Sequence, residues 1–172
     1  MAPKPAHTAH EEAEDYRNGE ERPLGGYVAA MTVFVLLVAV AAAVAALVGR
    51  NLPRRIGAYD LLLITAGTHK ISRTLSKTAV TSPLRAPFTR YEGTAGPGEL
   101  TEEVRHSRGL RHAIGELLTC PFCLDMWVVT VHMIGLVFVP RFTRMTAATF
   151  TALAGADFLH LAYTRAIQAT EK

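Results

Sequence analysis

Cys120 and Cys123 are the two cysteines of the chain, and they form a lone Cys-x-x-Cys, Cys120-Pro121-Phe122-Cys123. Proline suits the first turn of a helix, which makes Cys120 an N-cap candidate. A thiol there feels the positive end of the helix dipole and ionises more readily. Three chemistries fit such a pair: a structural pair, half of a metal site, or a thiol redox couple. Zinc, the candidate cofactor, needs two further ligands. A second copy of the chain could supply its own two thiolates, or His106, His112 or His160 could complete the set. Thioredoxin-like redox sites share the spacing, but no βαβ pattern surrounds it here. Two cysteines also exclude a disulfide scaffold.

Four more ionisable residues fall in the apolar segments around that pair: Asp125, His132, Asp157 and His160. Asp157 and His160 are three apart and share a helix face; Asp125 and His132 are seven apart and do likewise. If the last two apolar segments form a hairpin turning near Phe142–Thr143, Asp125 is level with His160, and Cys123 with Tyr163 or its neighbour. Ionisable groups inside a membrane are costly and face the bundle interior or a cavity. The expectation is a buried polar cluster of Asp125, His132, Asp157 and His160. Within it, Cys120, Cys123, Asp157 and His160 are the candidate metal ligands. If the chemistry is redox, Cys120 and Cys123 carry it. Asp60 either joins the cluster or sits at the end of its own segment. No Gly-rich phosphate loop, Ser-His-Asp arrangement or paired Glu-x-x-His motif is present, so the reading leans away from an enzyme.

A basic run, Lys70, Arg73, Lys77, Arg85 and Arg90, reads as anchoring to anionic lipid headgroups, each contributing about 1 kcal/mol near the surface. Lys+Arg 18 against Asp+Glu 15 and a pI of about 9.1 would also allow nucleic acid. That partner is excluded because the basic residues flank apolar runs and form no stripe with interleaved aromatics.

The elements that must position these residues are helices in lipid. The 172 residues are 49% hydrophobic and only 19% charged, with mean hydropathy +0.19. Residues 1–24 form a polar, acidic tail expected to be disordered, with at most a short helix. Residues 25–50 hold the first transmembrane helix. Its 22 residues from Tyr27 to Val48 carry no charge, and a helix of that length reaches about 33 Å across a core of about 30 Å. The acidic tail before it, and a run longer than the ~7–15 residues of a signal-peptide core, favour an uncleaved anchor.

Asn51-Leu52-Pro53-Arg54-Arg55 breaks the helix. Residues 56–166 then form a membrane domain with an internal polar loop, 78–115. Ile56 to Leu75 is a short second span. Pro83, Pro87, Gly93, Gly96, Pro97 and Gly98 exclude long regular structure in the loop. Thr101-Glu102-Glu103-Val104 resembles a helix start, continuing towards Arg111. Spans three and four run from Cys120 to Val139 and from Met145 to Tyr163. Ala148, Ala152 and Ala156 mark a small-residue face suited to close packing. The fold class expected is all-α: an integral membrane bundle, four helices with a cytoplasmic loop. Thirteen of the 18 Lys+Arg fall on the side of residues 70–120 and the C-terminus, whether the spans number three or four. That side is expected to face the cytoplasm.

Asp60-Leu61-Leu62-Leu63, Lys70-Ile71-Ser72-Arg73 and Ser82-Pro83-Leu84-Arg85-Ala86-Pro87-Phe88 make one half of a pattern. Gly115-Glu116-Leu117-Leu118-Thr119-Cys120-Pro121-Phe122-Cys123, followed by Trp127, makes the other. Over residues 57–165 the chain resembles a small bacterial membrane family, domain of unknown function 1360, which includes a sporulation-associated protein. The resemblance implies an integral membrane protein of the cell membrane and no particular activity. Two functional classes remain. One is a non-enzymatic membrane protein acting through partners or self-association as a homo-oligomer, with the cysteines as a structural or metal element. The other is a membrane thiol oxidoreductase coupled to quinone. Known enzymes of that kind use a second cysteine pair, which this chain lacks.

Overall fold

The computed structural model describes residues 8–20, 22–105 and 109–170. In chain order the elements are α1 (Ala9–Arg17), α2 (Leu24–Leu47), α3 (Ala58–Lys77), a 3-10 turn (Ala79–Thr81), α4 (Ser82–Arg85), β1 (Thr89–Gly96), β2 (Glu99–Val104), α5 (Gly109–Thr119), α6 (Pro121–Phe138) and α7 (Pro140–Thr170). The described chain is mostly helical, with one small antiparallel sheet where an all-α fold was expected.

The polar tail carries α1 because Thr8 and Glu11 form a reciprocal capping box. That box satisfies backbone donors which would otherwise be bare at the helix start. The Thr8 backbone N–H donates to the Glu11 carboxylate and holds it below the usual carboxylate range. Asn18, in the left-handed region at φ 46°, stops the helix.

Two of the helices, α2 and α6, are long and apolar enough to cross a membrane. Their contacts fix their direction. Phe34 meets Trp127 edge to face at 5.3 Å. Further on, Val44 and Phe138 line the same groove, so α2 and α6 run the same way. Helices α3 and α7 also run parallel to each other, since Asp60 pairs with Arg144 and Lys70 with Asp157. Val139 alone separates α6 from α7, and Gly135 packs on Thr143 across that bend. The chain therefore reverses there, and α7 runs opposite to α6.

The α3–α7 seam is a close helix contact. A Cβ on Gly67 would stand 2.9 Å from the Ala147 carbonyl oxygen. Ile64, Thr68, Ala147 and Ala154 are buried along it, and the Thr151 hydroxyl donates to the Leu63 carbonyl at 2.8 Å. The expected small-residue face was Ala148, Ala152 and Ala156, yet Ala152 is exposed and the other two are half-buried. The face in use is Thr143, Ala147, Thr151 and Ala154, at helical spacings of four, four and three. One residue of rotation separates it from the alanine series, and the close approach at Gly67 selects it.

Ion pairs close both ends of the seam. Arg144 donates to both Asp60 oxygens at 2.8 Å, and Lys70 reaches Asp157 at 2.5 Å. Arg144 is half exposed, so the clamp is a weak one. A double-mutant cycle on Asp60 and Arg144 should return a small favourable coupling that shrinks with added salt. Zero coupling at low salt would remove the clamp from the account.

The loop expected to lack regular structure folds into the β1–β2 hairpin. Gly96 pairs with Glu99, leaving Pro97-Gly98 as a two-residue turn, with Gly98 at φ +73°. Proline fixes the first turn residue and glycine alone takes the second without strain, as in a type II turn. Thr101-Glu102-Glu103-Val104 belongs to β2 and does not start a helix; α5 begins at Gly109 instead. The Ala79 N–H donates to the Gly98 carbonyl at 3.0 Å, so the hairpin tip folds back onto the end of α3. At its base, Val104 packs against Gly115 of α5.

Candidate functional site

Pro121 starts α6 and leaves Cys120 extended at the N-cap, where its sulfur accepts the Cys123 N–H at 3.2 Å. The Cα atoms of Cys120 and Cys123 are 5.3 Å apart and the sulfurs lie at disulfide distance. That Cα separation is inside the ~4.4–6.8 Å window a disulfide requires. Cys123 is exposed and Cys120 half-buried. The pair therefore sits at the start of α6 as a surface-accessible dithiol or disulfide.

The cluster expected around it does not assemble. Among the described residues, no three His, Cys, Asp or Glu side chains gather closely enough to hold a metal ion. Asp157 is committed to Lys70, and His160 is exposed. The cause is the position of the bend. It falls at Val139 and not at Phe142–Thr143, which shifts the α6–α7 register by roughly two helical turns and takes His160 off the level of Asp125. His132 is buried and its Nδ1–H donates to the Val128 carbonyl of its own helix at 2.9 Å. Of the other histidines weighed as ligands, His112 lies 3.2 Å from Glu116, and His106 falls outside the described residues.

Asp125 is half-buried, and its Oδ1 is shielded from solvent with no hydrogen-bond partner among the described residues. The Thr68 and Ser76 hydroxyls of α3 are in the same condition. Buried polar atoms are normally paired, so these three oxygens are the least satisfied polar groups described.

The basic run also behaves otherwise than expected. Lys70 is held by Asp157, and Arg73 makes a bidentate pair with Glu99 at 2.6–3.0 Å. Arg85 is no headgroup ligand: it is 0% exposed. Its Nε and Nη2 grip both Glu102 oxygens at 2.7 and 3.0 Å. Nη1 donates to the Leu75 carbonyl at 2.7 Å and the Thr81 hydroxyl at 2.8 Å, and Nη2 to the Thr78 carbonyl at 3.1 Å. All five guanidinium donors are thereby used. Lys77 is half-buried at the end of α3, and Arg90 is exposed on β1.

Sequence reasoning passed over two acidic residues. One is Glu102, which accepts Arg85 and the Thr89 hydroxyl. The other is Glu116, which accepts the Tyr27 hydroxyl at 2.5 Å and lies 3.8 Å from Arg22. Glu116 thus ties the start of α2 to α5, beside the point where Gly26 closes on Gly109 and Ala113. Alternation of Leu100, Glu102 and Val104 was the available signal for the first. For the second it was the Glu116-Leu117-Leu118 run itself.

No curated protein and no solved structure matches the chain. A family model described as "Protein of unknown function (DUF1360)" matches residues 62–163, a stretch that opens in α3 and holds the hairpin, the Cys-x-x-Cys, Trp127 and most of α7. The chain belongs to the DUF1360 family.

Proposed function

We propose that the chain is a bacterial integral membrane protein with α2, α3, α6 and α7 as four alternating spans. In this reading it acts through partners or self-association and not by catalysis. The observation that carries the membrane reading is the surface of α2. Its buried residues are Gly26 and Ala45, while Val28, Met31, Val35, Leu36, Val40 and Leu47 are all more than half exposed. Soluble monomers rarely show contiguous apolar patches beyond a few hundred Å², and lipid is the solvent that accepts this helix. Contacts of α2 with α5 and α6, through Tyr27 and Phe34, support a retained helix over a cleaved leader. The alternating directions of α2, α3, α6 and α7 support the four-span arrangement. Polar groups around the β1–β2 hairpin that engage one another, such as Arg85 with Glu102, support a structural and interaction role.

The side with the hairpin, to which the sequence count assigns thirteen of the 18 Lys+Arg, faces the cytoplasm in this reading. A cysteine-free variant with Tyr91→Cys should resist a membrane-impermeant reagent on intact cells, whereas Asn51→Cys should react. Efficient labelling at Tyr91 would sink the orientation, and protection at Asn51 would sink the four spans. Resemblance to a family with a sporulation-associated member makes a spore-forming bacterium the informative host.

The exposed Cys123, beside a sulfur already seated at a helix start, favours one second reading: thiol oxidation coupled to quinone. Two thiols would lose two protons and two electrons as the S–S bond forms, and the quinone would gain both pairs to become the quinol. Under the first reading, thiol titration of the reduced protein gives the same value with and without a fully ring-substituted benzoquinone, which has no open carbon for a thiol to add to, measured in the absence of oxygen. Quinone-dependent loss of both thiols with stoichiometric quinol would replace the first reading by the second.

A further inference from the structure

The charge of the molecule is concentrated at the end opposite the hairpin. Among the described residues, Arg50, Arg54, Arg55, Arg141 and Arg144 lie there, with Asp60 as the single acid, a net of +4. The rest of the chain has thirteen basic and fourteen acidic residues, a net of −1. Asp60 is taken by Arg144. Arg50 is anchored at the end of α2 by its N–H bond to the Ala45 carbonyl, at 2.8 Å. Arg141 follows Phe138 by three residues at the start of α7, and Arg50, Arg54, Arg55 and Arg141 are all exposed.

An apolar groove of about 710 Å³ opens between α2 and α6 and leads to this end. Val33 and Val131 line its inner part, with the Phe34–Trp127 contact beside it. Val44 and Phe138 line its mouth, at the arginine end. From Val33 to Val44 the groove follows α2 for about 16 Å, which is close to one leaflet's share of a core about 30 Å thick. A second helix would not need arginines at the mouth, and a soluble anion would not need the apolar wall.

We infer that this groove and its arginines bind an anionic diacyl phospholipid of the leaflet opposite the hairpin, one acyl chain between α2 and α6 and the phosphate on Arg50 and Arg141. The inference rests on the membrane reading above, and it moves headgroup recognition away from Lys70, Arg73 and Arg85, whose charges are met by Asp157, Glu99 and Glu102.

The test has two stages. Carbonate extraction of membranes comes first; release of the protein would remove the membrane reading and this site together. On extracted, detergent-solubilised full chain, native mass spectrometry then compares dioleoyl-phosphatidylglycerol with dioleoyl-phosphatidylcholine. Phosphatidylglycerol should bind more tightly, with roughly a fivefold loss for each of Arg50→Gln and Arg141→Gln. Ala41→Phe, which fills the groove, should weaken both lipids, and Arg165→Gln, near the far end of α7, should change neither. Equal affinity for the two lipids, or an unchanged preference in the Arg50/Arg141 double variant, would overturn the site while leaving the membrane reading intact. Chain-to-chain crosslinking between Val40→Cys and Val131→Cys that phosphatidylglycerol does not suppress would give the groove to a second copy instead.

Discussion

Replacing Arg85 by alanine should cost about 3–5 kcal/mol and free the hairpin from the bundle, the largest single-residue effect expected in the chain. The reason is the partner left behind. The Arg85 and Glu102 side chains are 0% and 6% exposed, so the variant strands a carboxylate out of water with the Thr89 hydroxyl as its remaining partner. The Leu75 carbonyl loses its guanidinium donor at the same time, and the Thr78 carbonyl loses one donor and keeps the Thr81 hydroxyl and N–H. These carbonyls terminate α3, Glu102 lies on β2 and Arg85 closes α4. One guanidinium therefore joins three elements that share little apolar surface. Arg85→Lys keeps the charge but cannot supply five donors in a planar fork, and it should recover less than half of the loss. The double variant Arg85→Met, Glu102→Leu should recover most of it, because removing both charges of a buried pair is far milder than removing one. Thermal unfolding of the detergent-solubilised protein and limited proteolysis within residues 86–105 read the two effects. An Arg85→Ala variant as stable as the parent would mean that the guanidinium is not buried in the folded protein.

The apolar helices were legible because lipid and core impose one rule on every residue of a helix such as α2: no charge. That rule leaves its mark in a local window. The hairpin was illegible for the opposite reason. Its turn residues, Pro97 and Gly98, are the same residues that break helices, and its inward face carries Glu102 between Leu100 and Val104. A charge at the centre of an alternating pattern hides the period of two, and Thr101-Glu102-Glu103 then imitates a helix start. Only the presence of Arg85, seventeen residues earlier, makes that charge tolerable inside, and a pairing across such a distance has no local signature.

The Cys-x-x-Cys was equally readable, down to Cys120 as N-cap, because Pro121 fixes the helix start by itself. Its surroundings were not. Placing Asp157 and His160 beside it depended on where α6 turns into α7. The sequence reading puts that turn near Phe142–Thr143. Proline is at home in a first helical turn, so Pro140 opens α7 and the bend moves to Val139. A shift of three or four residues at the bend doubles when carried to both arms, and that is enough to separate His160 from Asp125. Lys70 and Asp157, 87 residues apart, then find each other and use up the acid that the metal site required.

Glycine provides the second large effect, and its sign should depend on position. Gly67 and Gly155 both lie inside helices, where alanine is intrinsically better by up to about 1 kcal/mol. Gly155 has no atom within 4 Å of the place its Cβ would occupy, so Gly155→Ala should stabilise by a large part of that amount. At Gly67 the added carbon would meet backbone, standing 2.9 Å from the Ala147 oxygen and 3.2 Å from its Cα. Backbone atoms of a neighbouring helix do not rotate aside as a long side chain would. Helices α3 and α7 must separate, stretching the Thr151–Leu63 hydrogen bond and the ion pairs at both ends of the seam. The overpacking should outweigh the helical gain and destabilise by about 1–3 kcal/mol for alanine, and by more for valine, which adds a branched carbon in the same gap. Ala147→Gly in the Gly67→Ala background should not rescue it, because the contact is with the Ala147 oxygen and Cα, which glycine retains. Melting temperatures of the three single and double variants decide the point, and a stabilising Gly67→Ala would mean that α3 and α7 do not approach each other at this residue.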